Sequence, residues 1–326
     1  MNPLSRLFSW LAPTPPPDPD TQAGLRRVAE LVDKTFPAAA DFNARLAAPV
    51  AGARAYCAGL VDTLPPAIDL DRQSFAADPR VHALFASADD IGDTVAASAP
   101  IRAWLAETES RRSDTFFALL AARRMDKKTL GVAMQGDIVM SDVPQSLLQF
   151  SNQMLLLPAA TPETARAALL AAAFDSLLRT FAEHVAQVRK DYEALKTERE
   201  LERIRQRSRP APVPPFPSRR IAELDERLRR QFASLQPGTL IDALADFLSR
   251  PEQALHLAAV ELWVTRAGVI RCAGDKDAAR IGFMELVSRD RRRHTVLPVR
   301  IRCDEAREAL RKAREVREVR ENILLL

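Results

Sequence analysis

The densest set of chemically capable side chains is Arg289, Arg291, Arg292, Arg293 and His294, packed into one polar stretch. Guanidiniums splayed from a hairpin loop can hold phosphate, nucleic acid or an acidic partner. Arg300 and Arg302, on the wet face of the following strand, would extend that patch. Asp290 interrupts the run, and few aromatics interleave to stack bases, which counts against nucleic acid. Glu261 is placed to pair with Arg300 or Arg302 across a sheet if their strands are neighbours.

The other candidate chemistry is thinner. His82 lies among apolar residues with no second ligand nearby in sequence, and reads as a core or surface histidine. His184 follows Glu183 on a helical face. His256 and His294 share the C-terminal region with Cys272 and Cys303, but nothing in their spacing demands a metal. Gly274-Asp275-Lys276-Asp277 begins like a calcium loop yet lacks the spaced third ligand and the closing Glu, so it reads as a turn. No G-x-S-x-G, H-E-x-x-H, Walker or dinucleotide pattern occurs. The sequence therefore assigns no catalytic residue, no metal ligand and no cofactor.

Composition narrows the class further. The 326 residues contain 10 Gly and 23 Pro, so glycine is scarce and glycine-rich phosphate loops are poorly supported. No apolar run approaches the ~18 residues of a membrane span, and the 47% hydrophobic content is too high for a disordered chain. The net charge of +4 is unevenly placed: residues 1–160 hold 15 basic and 18 acidic residues, a balance of −3, leaving +7 for the remainder. Forty of the 47 basic residues are arginines, a bias shared with alanine and proline that warns against reading every arginine as a phosphate ligand. Cys57, Cys272 and Cys303 form neither a disulfide framework nor a zinc pattern. With no signal-peptide core, the expected compartment is the reducing cytoplasm.

The elements that must position these residues are mainly helical. Leu4, Leu7, Phe8 and Leu11, flanked by Trp10, form an apolar peptide on a proline tether (Pro13 to Pro19). Such a peptide suits docking to a partner or peripheral contact with a membrane. From Thr21 to about Met125 the pattern predicts a helical bundle: one stripe carries Leu25 and Val28, and a second runs from Phe42 through Leu46 and Val50, broken near Pro49. Ser113 is placed as an N-cap ahead of helical Phe116, Phe117, Leu119 and Leu120. Between Thr129 and Pro158 the period shortens to two, predicting a small meander that turns at Gln135-Gly136-Asp137.

Thr161-Pro162-Glu163 opens a helix that meets no proline or glycine before Pro210. Phe174, Leu178, Phe181, Val185, Val188, Tyr192 and Leu195 step by four and three along it, a coiled-coil seam; Leu201 and Ile204 follow in a shifted register. The Pro210–Pro217 cluster breaks this helix, and a second, near 218–235, is fit to lie antiparallel to it or to pair in an oligomer. Thr239 with Asp242 forms a capping pair for a short helix. Alternation at 260–264, 269–272, 281–287 and 297–303 then predicts a four-stranded antiparallel sheet, the last strand at an edge because Pro298 cannot donate to a ladder. Asp304 caps a final helix.

The expected fold is thus α+β and predominantly helical: an apolar peptide and tether (1–20), a helical domain with a β meander (21–160), a long helical hairpin (161–237) and an α+β domain (238–326). The expected function is a non-enzymatic scaffold or adaptor acting through protein contacts and coiled-coil self-association. Nucleic-acid or anion binding by the 289–302 arginines is the alternative.

Overall fold

The computed structural model describes residues 18–39, 41–135, 138–208, 219–288 and 293–324. The apolar peptide Leu4–Leu11, the prolines at 13–17, the Pro210–Pro217 cluster, Gly136-Asp137 of the expected turn, and Arg289, Arg291 and Arg292 lie outside these residues. Helix and antiparallel sheet are both present, and the chain divides into two compact units, each assembled from two separate stretches.

The first unit comprises Met1–Tyr56 with Phe174–Pro251, and its described residues are helical. Helix α1 (Pro19–Leu31) starts where Asp18 accepts a hydrogen bond from the Thr21 amide at 3.0 Å, with Pro19 at the first helical position. Pro19 therefore begins a helix rather than ending an extended tether. Helix α2 (Phe42–Asp62) runs through Pro49 without the expected break. Phe42, Leu46, Val50 and Ala53 are all buried along one stripe, and that burial outweighs the roughly 3 kcal/mol cost of an interior proline. Gly24 lets α1 approach α2: a Cβ there would fall 2.5 Å from Val50 Cγ1. The long helix α7 (Pro162–Arg207), α8 (Arg219–Ser234) and α9 (Pro237–Leu248) supply the rest of the unit. The α9 cap differs from expectation: Gln236 is the N-cap and makes no side-chain cap bond, while Asp242 pairs with Arg45.

The second unit comprises Cys57–Ala173 with Glu252–Leu326. Short helices α3 (Arg72–Ala77), α4 (Pro79–Leu84), α5 (Ala88–Ala97) and α6 (Ala99–Ala106) each start at a capping side chain: Asp71, Asp78, Ser87 and Ser98. They lie between β1 and the other strands of a seven-stranded sheet made of β1 (Ile68–Asp69), β2 (Thr115–Gln135), β3 (Ile138–Ala159), β4 (Leu255–Thr265), β5 (Ile270–Arg271), β6 (Ala278–Ser288) and β7 (Arg293–Arg302). The main path is β3-β2-β7-β6-β4-β5, with β1 parallel to β7. The sheet also curls back on itself. Leu147 of β3 forms a bridge with Val269, and the Leu148 amide donates to Gly268 O at 2.8 Å. Gly268 holds φ +82°, a left-handed turn that glycine adopts without strain. Helix α10 (Cys303–Leu324) closes the unit against α5, where Gly92 faces Ala309.

Two expectations about this sheet are corrected. The stretch from Phe116 to Leu120 is strand, not helix, because β2 pairs with both β3 and β7. Phe116, Ala118, Leu120 and Ala122 alternate into the core, and half-buried Phe117 and Leu119 on the other face conceal the period of two. Strand β7 is internal, not an edge, with β2 on one side and β6 on the other. Pro298 fits because the β6 register ends at Val296 and the β1 register begins at Val299, so no registered strand on that flank requires its missing N–H. The expected meander and the four C-terminal strands belong to one sheet.

Strand β3 carries one irregularity per register shift. Positive φ occurs at Asp142, Asn152 and Leu157, each within one of the three places where the β2–β3 pairing slips. These are bulges that bend and twist a long ribbon. The Phe116 ring is fully buried with its centroid 5.0 Å from Trp104. Phe116→Ala is expected to destabilise the protein by about 3–5 kcal/mol, with a much smaller loss for Phe117→Ala; urea unfolding of the two variants would reveal equal losses if the stretch were not a strand.

Candidate functional site

The structure divides the seam residues into two neighbourhoods. Phe174, Leu178, Phe181, Val185 and Leu195 are buried, and Val188 and Tyr192 are half-buried. The N-terminal part of the seam packs into the first unit's own helices: Phe181 meets Phe247 of α9 at 5.5 Å, and Arg54 of α2 sits over Phe174. Arg27 of α1 grips Asp175 with two hydrogen bonds, 2.7 and 2.5 Å. Further along, α7 and α8 run antiparallel within one chain. Leu195 clusters with Leu224 and Leu228, Tyr192 faces Phe232 at 6.3 Å, Arg199 pairs with Asp225 at 3.2 Å, and Glu198 pairs with Arg220. His184 is exposed on the flank of this helix. Leu201, Ile204 and Phe232 remain half exposed.

The described arginines of the basic patch are mostly engaged. Arg300 holds Asp69 of β1 in a two-point pair, 2.6 and 2.8 Å, and Arg302 holds Asp304 at 2.5 Å. Glu261 pairs with Arg280 at 2.5 Å instead of reaching either. Arg293 approaches Glu285 at 3.8 Å. The Asp304 carboxyl is held down to about 2, first by the Arg302 guanidinium and then by the Glu305 amide. Asp69 is likewise lowered, chiefly by its hydrogen bonds from Arg300.

Pairing across the sheet brings together residues that no sequence pattern links. Glu285 of β6 is 3% exposed and forms an ion pair with Arg124 of β2 at 3.1 Å. The one sequence signal is a carboxylate set on the inward parity of a strand whose other inward residues, Ile281 and Phe283, are core.

A cavity of about 700 Å³ lies between α4 and the closure of the sheet, lined by Leu84, Phe85, Leu148, Phe150 and Ile281 with Asp78, His82 and Arg266. His82 Nε2 lies 3.1 Å from Arg266 O, its ring tilts against Phe75 at 4.8 Å, and its buried Nδ1 has no hydrogen-bond partner. Asp78 is committed elsewhere. Burial raises its carboxyl, but the Arg80 guanidinium and the Arg80 amide outweigh this and lower it overall. Among the described residues no group of three or more His, Cys, Asp or Glu is arranged to hold a metal ion. Cys57 and Cys303 are buried, Cys272 is exposed, and burial pushes the Cys303 thiol up. No described helix is long and apolar enough to cross a membrane.

The most open feature is the far half of β2. Its register with β7 ends at Ala122↔Thr295, whereas its register with β3 continues to Gln135↔Ile138. Among the described residues, the strand from Arg123 to Gln135 therefore has β3 on one edge and no registered strand on the other. Leu130 is 64% and Val132 59% exposed there.

The Asp69–Arg300 pair supplies a pH test. Asp69 is lowered in the folded protein, so its contribution is present at neutral pH and is lost as pH falls through the carboxylate range. Because both side chains are about half exposed, the effect is under about 1 kcal/mol. Unfolding free energies at pH 7 and pH 3 are expected to differ less for Asp69→Asn than for the parent; an identical difference would show that the pair is inert.

Compared with known proteins, this chain matches no family model, no curated protein and no solved structure.

Proposed function

We propose that this chain is a non-enzymatic scaffold or adaptor that holds protein partners, a second copy of itself among them. The observation that carries the reading is the edge of β2 between Arg123 and Gln135, which pairs with no strand among the described residues and exposes Leu130 and Val132. An open strand edge presents unsatisfied amides and carbonyls to any strand that can add to it. Arg123, Lys127 and Lys128 guard the base of this edge with like charge, while Thr129 to Met134 carry none. Pairing of two copies at the uncharged part places those charges away from the centre.

Two further features fit the same reading. The antiparallel pairing of α7 with α8 reads as a short coiled-coil hairpin inside one chain, with Leu201, Ile204 and Phe232 left half exposed for contact with another. The apolar peptide Leu4–Leu11 would add a docking element for a protein or a membrane surface. The carboxylates that hold Arg300 and Arg302 favour protein contact over anion capture at 289–302. A cytoplasmic location agrees with the three cysteines being free thiols.

Light scattering coupled to size-exclusion chromatography tests the self-association. The parent at tens of micromolar is expected to run as a multimer, and Leu130→Lys with Val132→Lys to convert it to a monomer without lowering its melting temperature. A parent that is monomeric throughout would contradict the proposal.

A further inference from the structure

A second surface in the sheet-bearing unit combines charge and apolar character in a way the scaffold reading leaves open. Arg307, Arg311, Arg314 and Arg317 of α10 and Arg102 of α6 line a groove of about 750 Å³. Its floor is apolar, made by Leu105 and Leu310 with small alanines between them, and no carboxylate lines it among the described residues. The spacing of the α10 arginines, by four, three and three, sets them along one flank of the helix. From Arg307 to Arg317 they extend roughly 15 Å at ~1.5 Å per residue.

The five guanidiniums are not equally committed. Arg102 donates to Ala96 O at 2.9 Å, at the carbonyl end of α5. Arg307 donates to Ser110 O at 2.7 Å. Arg311 is shared between Glu308 and Glu315 on its own helix, at 2.7 and 2.6 Å. Arg314 and Arg317 make no ion pair with any described residue. The groove thus keeps a surplus of positive charge, unlike Arg300 and Arg302, which each hold a carboxylate.

This combination restricts the occupant. A single phosphate would meet one or two of the arginines and leave the apolar floor wet. A single-stranded nucleic acid draws affinity from aromatic stacking, and no aromatic side chain lines the groove among the described residues. An amphipathic helix with acidic flanks matches both features: its apolar stripe covers Leu105 and Leu310, and its carboxylates recur every ~5–6 Å along the arginine row. We propose that this groove docks an acidic amphipathic helix of a partner protein. The kind of partner rests on the scaffold reading; the charge and shape of the groove do not.

The test uses the full chain and a defined probe: a fluorescein-labelled 18-residue peptide of Glu, Leu and Ala, with Leu on one helical stripe and Glu on both flanks. Controls are a shuffled peptide of equal composition and an 18-nucleotide oligo-dT. Anisotropy is expected to show saturable binding of the segregated peptide that weakens with added salt. Arg314→Glu with Arg317→Glu should weaken it about tenfold or more, while the Lys pair at the same positions keeps most of the affinity. Neither residue is ion-paired with a described residue, and thermal melting of each variant confirms that the fold is retained. No binding, equal binding of the shuffled peptide, tighter binding of oligo-dT, or indifference to charge reversal would each overturn the proposal. Multimer size is measured on the same samples. Peptide binding by a monomer supports the groove and defeats self-association, and a multimer that ignores the peptide does the reverse.

Discussion

The sheet-bearing unit depends on one constraint: β2 must be paired along both edges at its base. Thr115–Ala122 is held against Thr295–Arg302 on one side and against the end of β3 on the other. Joining β2 to β7 closes a loop of about 170 residues, which costs roughly 4–5 kcal/mol of chain entropy beyond a constant. Burial of Phe116, Leu120, Leu297, Val299 and Ile301 in one core offsets this, at about 1.5–3 kcal/mol each. Within the closed segment, Leu195 of α7 already packs against Leu224 and Leu228 of α8, so the loop is not a random coil.

This constraint also explains why legibility in the sequence was uneven. The Thr161 cap and the proline at 162 mark their helix correctly, because capping chemistry is local. The alternation in β4, β6 and β7 was visible for the same reason: outward residues such as Glu261, Arg280 and Arg300 are polar. Phe116–Leu120 was not readable, since a strand flanked on both edges and covered on both faces shows a continuous apolar run. Pro298 misled because the rule that puts proline at edges concerns one N–H, and only the register of neighbouring strands shows whether that N–H is needed. Pro49 misled because a local cost was compared with no tertiary gain.

The site residues divide along the same line. The seam from Phe174 to Leu195 was legible as a stripe, but a stripe does not name its partner. The structure places much of it against α2, α8 and α9. Arg300 and Arg302 looked like an open basic patch because Asp69 lies more than 200 residues away in sequence, and the carboxylate next to Arg302 is already committed to it. Among the described residues, arginines without a carboxylate partner lie where α10 meets α6, on a spacing that also occurs on solvated helices.

The central proposal is that the far edge of β2, unpaired among the described residues, is used between chains. Hydrogen exchange measured across a concentration series addresses it directly. The account predicts rapid exchange, in dilute protein, of those alternate amides between Arg123 and Gln135 that face away from β3, and slow exchange of the same amides once the protein is concentrated, with Phe116–Ala122 protected throughout. Exchange in the 123–135 segment that does not change with concentration would contradict the account.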